Sequence, residues 1–304
     1  MATMSRNQFR KSLQDGLNAI FGMEYDKYPE EWRDIFDQET SNKAFEEDVL
    51  YVGLGGAVEK AEGAAITYDE GGEGWVARYD HTTIALGFRI TQEAREDNLY
   101  GDIGKRFTKA MARSFQFTKE VRAASVLNNA FSSSYTGGDA KALCVTDHPL
   151  AGGGSFSNRP TTAADLSEAS LEDATIMIAG FVDDRGLPIM ARSKKLIVSR
   201  YQKFVAHRIL NSTGRVGTSN NDTNALRDMS EFQTPSLNHY LTDPYAWYIK
   251  TDVDYGLRAF KRKALETGME GDFETGNLRY KGRERYSFGW TDPRGMYASP
   301  GVTP

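Results

Sequence analysis

"AITYDEGGEGWVARY", residues 65–79, sets three glycines and three acids between aromatic and β-branched residues. Glycine favours tight turns and clustered carboxylates stay out of a core, so the middle of this stretch reads as the exposed tip of a β-hairpin. Residues 49–54, VLYVGL, begin the ribbon. Beyond the tip, Ile84, Leu86, Phe88 and Ile90 share one face opposite Ala85, Gly87 and Arg89, the alternation of a strand buried on one side. The expectation is a ribbon over residues 49–90 with a packed base and a solvated tip that carries no catalytic residue.

On the N-terminal side, Phe9, Leu13, Leu17, Ile20 and Phe21 recur at helical spacing and predict an amphipathic helix. An acidic stretch follows, in which Glu24, Asp26, Glu30, Glu31, Asp34, Asp37, Glu39, Glu46, Glu47 and Asp48 outnumber Lys27, Arg33 and Lys43. It reads either as a solvated surface or as an arm lying on a basic partner. On the C-terminal side Thr91 is a candidate helix cap, with Glu93, Glu96 and Asp97 suited to a helix N-terminus. Leu99, Ile103, Phe107, Met111 and Phe115 follow at steps of four, predicting a long helix that reaches about residue 131 and is irregular near Gly101 and Gly104. Its later part carries Lys105, Arg106, Lys109, Arg113, Lys119 and Arg122 against Glu120 alone.

Residues 132–158 read as a glycine-rich loop, and Ser170 with Glu172 and Asp173 as the opening of another helix. KKLIVS, residues 194–199, reads as a buried strand, residues 201–210 as a helix, residues 211–235 as a long polar loop, and YAWYIKTD with two later runs as strands. In the last run Arg279, Lys281, Arg283 and Arg285 alternate with Leu278, Tyr280, Tyr286, Phe288 and Trp290. That basic face reads as a nucleic-acid-facing surface, a contact for acidic protein neighbours or a solvated face, and the acidic chain favours the last two.

A chain of 304 residues buries a sizeable core. The single cysteine, Cys144, permits neither an internal disulfide nor a cysteine metal site, which fits synthesis in a reducing compartment. No secretory leader or apolar run of membrane-spanning length stands out. A net charge of −5 argues against a surface devoted to nucleic acid. Asp147, His148 and Ser155 supply the residue types of a hydrolytic triad, but Asp-His-Pro reads more simply as a turn. Cys144 with His148 makes only two ligands, and Gly152, Gly153, Gly154 and Ser155 lack the lysine of a phosphate loop. No catalytic, cofactor or metal site is expected.

Three segments carry a resemblance: ALCVTDHPLAGGGSFSN (142–158), DDRGLPIMARSKKLIVSRYQKFVAHRILNS (183–212) and SNNDTNALRDMSEFQTPSLNHYLTDPYAWYIK (219–250). Together with the order of elements along the whole chain, they resemble the major capsid proteins of tailed bacteriophages, in the branch of Mu-like major head subunits. The resemblance implies an α+β, Hong Kong 97-type fold: an N-terminal arm (1–48), an E-loop hairpin (49–90), a P-domain with a long spine helix (91–160, the helix over 91–131), an A-domain (161–250) and closing strands that return to the P-domain (251–304). It implies self-assembly into hexamers and pentamers of an icosahedral shell in the virion, built in the bacterial cytoplasm around double-stranded DNA bound without sequence specificity and without a membrane.

Scaffold, portal and decoration proteins are implied partners. The family's scaffolding segment has no counterpart here, so a separate scaffold or a removed leader is expected. The family's subunit crosslink finds no matching residues. The expected assembly contacts are Asp69, Glu70, Glu73 and Trp75 of the ribbon, Arg106, Lys109 and Arg113 of the long helix, and Arg279, Lys281, Arg283 and Arg285. An encapsulin-like compartment shell and a hydrolase using His148 and Ser155 are the alternatives.

Overall fold

The computed structural model describes residues 10–91, 93, 100–214, 222–229, 232, 234–272 and 274–302. In chain order its elements are helix α1 (Arg10–Tyr25), a 3-10 turn (Glu31–Asp34), strands β1 (Asp37–Thr40), β2 (Phe45–Val52), β3 (Gly72–Asp80) and β4 (Thr82–Ile90), and helix α2 (Tyr100–Asn128). The short pair β5 (His148–Pro149) and β6 (Ser155–Phe156) follows, then helix α3 (Glu168–Ala179), β7 (Ser193–Ser199), and helices α4 (Lys203–Asn211) and α5 (Ala225–Asp228). Strands β8 (Ser236–Asn238), β9 (Trp247–Thr251), β10 (Leu257–Gly271), β11 (Leu278–Trp290) and β12 (Met296–Ser299) complete it.

The ribbon returns earlier than the sequence suggests. Strand β2 pairs antiparallel with β3, from Phe45 opposite Asp80 to Val52 opposite Gly72. The glycine-acid stretch therefore begins the return strand instead of forming only its tip, which is the irregular segment 53–71. Trp75, Ala77 and Tyr79 alternate with exposed residues, and Ala77 and Tyr79 are buried against Phe260. The strand containing Ile84, Leu86, Phe88 and Ile90 is β4, and it pairs with β11, from Ile90 opposite Leu278 to Thr82 opposite Tyr286. A stripe of apolar residues specifies a buried face but not the strand that sits beside it.

Four strands in the order β1-β10-β11-β4 make the first sheet, with β1 parallel to β10. Helix α2 lies across it. At Gly282 on β11 a Cβ would stand 2.9 Å from the Phe115 ring, so this glycine is where helix and strand approach most closely. Leu17 and Phe21 of α1 join Met111, Ala112, Phe115 and Tyr280 in the same cluster. Phe107, on the predicted stripe, is 52% exposed, because residues four apart drift by roughly 40° per step around a helix of 3.6 residues per turn. The buried side runs instead through Thr108, Met111, Ala112, Phe115, Gln116, Glu120, Ala123, Ala124 and Leu127. The helix start predicted at Thr91 falls on residues 92 and 94–99, which lie outside those described, as do Phe9 and residues 215–221 of the polar loop.

A second sheet, in the order β12-β9-β7-β8, holds the other core with α3 and α4. Helix α3 starts one turn before the predicted position: Ser167 is its cap, and Ser170 completes a reciprocal capping box three residues on. Between the sheets, Trp32, Ile35 and Phe36 pack with Ala123 and Leu127 of α2 and with Tyr248, Leu257 and Met296. The residues after α1 are thus part of the core, each large buried side chain contributing about 1.5–3 kcal/mol.

Candidate functional site

The acidic stretch finds its basic partners within its own chain. Asp34 pairs with Lys195 at 2.8 Å and accepts from Ser236 Oγ at 3.0 Å. Asp37 pairs with the buried Lys250 at 3.0 Å, and Glu39 and Asp48 both grip the buried Arg258 guanidinium. Burial pushes the Asp34 carboxyl up, but the hydrogen bonds from Lys195 and Ser236 and the Lys195 charge outweigh it and hold the group below the ordinary range. Glu31 accepts from the His239 backbone N–H at 2.9 Å. Neither a solvated surface nor a partner's basic face is needed to account for these carboxylates.

Glu120 of α2 ends in the core, where its carboxylate accepts the Trp32 backbone N–H at 3.2 Å and so caps the 3-10 turn. Burial raises its pKa to about 7 against these hydrogen bonds, with Glu31 and Glu30 adding like charge. Close by, Lys119 Nζ meets the buried Glu284 at 2.8 Å and lies over the Tyr25 and Tyr286 rings. Burial pushes the Glu284 carboxyl up, and Lys119 pulls it part of the way back. A cavity of about 190 Å³ opens here, between the 3-10 turn, α2 and β10. The register of β10 against β11 shifts twice beside it, between Lys261 and Lys263 and between Lys263 and Glu266.

The ribbon tip touches its own subunit at one place. Asp69 accepts the Gly55 N–H at 2.7 Å, the Glu70 N–H at 2.9 Å and the Arg185 guanidinium at 2.6 Å. The two backbone N–H groups, and then Arg185, hold its carboxyl below the ordinary range. The remainder of the tip stays uncovered: Val58 is 71%, Ile66 65% and Tyr68 89% exposed. Glu70 and Glu73 are exposed and make no ion pair among the described residues. Trp75 is half-buried, with its Cβ against the loop at Gly138.

The structure divides the expected basic contacts. Lys109 lies 3.9 Å from Glu24, Arg279 pairs with Asp272, and Arg285 donates to the carbonyls of His81 and Ala44 at 3.3 Å. Those three are engaged within the subunit. Arg106 and Arg113 on α2, and Lys281 and Arg283 on β11, are exposed and make no ion pair among the described residues. Across the first sheet Lys281 stands between Gly87 and Gly268, whose lack of side chains leaves it prominent, and Arg283 stands between Ala85 and Glu266.

Residues 76–299 match the family described as phage capsid protein. The chain belongs to that family. It is a major capsid protein: copies of the subunit assemble into an icosahedral shell, and its place is in the virion. The subunit is similar to the procapsid of bacteriophage JBD30 at 12% identity, with 99% of this chain and 77% of that one covered and a TM-score of 0.56. It is similar to the capsid of the native GTA particle at 10% identity, 88% of each chain and a TM-score of 0.55. For Microbacterium phage Oxtober96 the values are 9% identity, 89% of this chain, 90% of that one and 0.51. At these identities the likeness is one of fold, and it is the α+β, Hong Kong 97-type fold implied by the resemblance. No curated protein matches the sequence.

In the capsid subunit the candidate triad is not assembled. His148 is fully buried, with Nδ1 2.6 Å from Asp139, Nε2 3.3 Å from the Leu143 carbonyl, and its ring stacked on Phe156. Both nitrogens are engaged away from Ser155, and Asp147 pairs with Lys141. Cys144 is buried, and burial pushes its thiol far above the ordinary range. Sequence reasoning missed Glu120, Glu284 and the cavity beside Trp32. A lone glutamate in the basic run of α2 was the available signal for the first. Nothing local marks the others, whose neighbours come from residues 25–38 and 259–288.

Proposed function

We propose that the subunit builds its shell by laying the β2–β3 ribbon on a neighbouring copy, where ribbon carboxylates meet cationic faces carrying Arg106, Arg113, Lys281 and Arg283. The observation that carries this reading is the uncovered ribbon tip, with Val58, Ile66 and Tyr68 exposed beside Glu70 and Glu73. Apolar residues gathered on a protruding segment mark an interaction surface. Exposed ion pairs contribute only about 0–1 kcal/mol each, so cohesion comes from apolar burial and from repetition around closed symmetry.

On this reading residues 1–48 are the arm, and within it Asp34, Asp37, Glu39 and Asp48 bind the subunit's own Lys195, Lys250 and Arg258. The E-loop is the ribbon within residues 49–90, with β4 joining the P-domain sheet. Residues 91–160 form the P-domain around the spine helix α2, 161–250 the A-domain, and 251–304 the strands that return to the P-domain. The subunit acts by association and not by catalysis. The net charge of −5 suits a wall that encloses double-stranded DNA without gripping it, and scaffold, portal and decoration proteins are its further partners. Arg106→Glu with Arg113→Glu tests the cationic face of α2: folded subunits that form few or no shells are expected by electron microscopy. Shells in unchanged yield would overturn this assignment.

A further inference from the structure

The cavity beside Trp32 has the chemistry of a socket. Trp32, Glu284 and Tyr286 line it and are all more than nine-tenths buried. Trp32 Nε1, Glu284 Oε1 and the Tyr286 hydroxyl have no hydrogen-bond partner among the described residues. Buried polar groups ordinarily find partners, and here a donor, an acceptor and a hydroxyl on three residues of one cavity wall have none. Lys119 already matches the charge of Glu284, so the inner wall suits a neutral group that both donates and accepts. The remaining walls include the rings of Tyr25, Phe260 and Phe288. The volume of about 190 Å³ exceeds the roughly 150 Å³ of a cavity that holds a benzene ring. At the mouth Arg33 is paired with Glu30 and Lys263 with Glu266, while Lys261 makes no ion pair among the described residues and leaves the rim with a positive charge to offer.

The same chain carries a matching plug. Among the described residues Tyr68 is the most exposed large apolar side chain, with Asp69, Glu70 and Glu73 just beyond it. Asp69 is tied to Gly55 and Arg185, a contact that fixes the tip and leaves Tyr68 outside it. We propose that Tyr68 of one subunit seats in the Trp32–Glu284–Tyr286 cavity of a neighbouring copy. Its hydroxyl donates to Glu284 Oε1 and accepts from Trp32 Nε1 or Tyr286. Its ring packs among aromatic walls, and Glu70 and Glu73 approach Lys261 at the mouth. Tyrosine suits such a role because it combines a large rigid apolar body with a polar end. The inference rests on the reading that the ribbon crosses to a neighbour, and adds where it lands.

The test places a benzophenone amino acid at position 68, co-assembles it with isotopically labelled wild-type subunits, irradiates the shells and maps the adducts by mass spectrometry. Adducts between labelled and unlabelled chains in the segments 30–38, 259–265 or 284–288 are the expected result. Adducts on another surface of the neighbour overturn the seat while keeping the ribbon reading. Adducts confined to the same chain, as at residues 183–187, overturn both. Tyr68→Ala, at a position too exposed to affect folding, raises the subunit concentration needed for shells by about tenfold; an unchanged threshold refutes the proposal.

Discussion

Replacing Glu120 with glutamine removes a single charge from the joint between α2 and the 3-10 turn, and its effect can be worked out from the site. Burial raises the carboxyl's pKa from an ordinary 4.5 to about 7 in the folded subunit. A pKa raised in this way means the folded state prefers the protonated form. Stability from Glu120 is therefore fully present below pH 4.5, declines as pH rises toward 7, and stays lost above it. At 1.36 kcal/mol per unit the interval corresponds to about 3 kcal/mol, and water at the margin of the site reduces this to about 2 kcal/mol. Glutamine keeps a carbonyl oxygen for the Trp32 N–H and has no proton to lose. Urea unfolding of unassembled subunits from pH 4.5 to 8.5 measures the difference between Glu120→Gln and wild type. That difference should move in favour of the variant by about 2 kcal/mol between the two ends. Every other ionisable group is common to the two proteins, so their contributions largely cancel. A difference that stays constant with pH refutes the reasoning.

Two further substitutions probe the packing. Gly282→Ala would place a methyl 2.9 Å from the rigid Phe115 ring, so it should lower subunit stability by about 1–3 kcal/mol; a midpoint of thermal unfolding equal to wild type would show that the helix–sheet contact is looser than described. Asn158 is fully buried, accepts from the Val145 N–H, and donates to the carbonyls of Leu143, Pro293 and Met296 at 2.7, 2.9 and 3.1 Å. Asn158→Ala removes all four bonds and should cost at least about 2 kcal/mol in urea unfolding, whereas a loss near zero would mean that water replaces the side chain.

The elements whose signals are local were the legible ones. The apolar residues of α1, the run KKLIVS and the aromatic strand YAWYIKT lie where periodicity puts them, because each has one face that must be buried whatever its partner. Strand β3 was obscured because Gly72, Glu73, Gly74 and Asp80 share it with Trp75, Ala77 and Tyr79, and composition outweighed alternation. The pairing of β4 with β11 joins residues far apart in the chain, and no local pattern encodes that choice. Among the assembly candidates, charge alone picked out Arg106, Arg113, Lys281 and Arg283. It equally picked out Lys109, Arg279 and Arg285, whose partners Glu24, Asp272 and two carbonyls appear only once the chain is folded. The cavity was invisible for the same reason.

The short parallel strand β1 has a bearing on how such a subunit survives before it is used. Shell proteins accumulate to high local concentration, and an open β-sheet flank under those conditions is a template for fibres. At four residues β1 makes one border of the first sheet short, and its Asp37 and Glu39 are tied to Lys250 and Arg258 of the same subunit. Filament growth through a sheet requires two adhesive borders, and this one is left with β4 alone, so a mispaired sheet ends at a dimer.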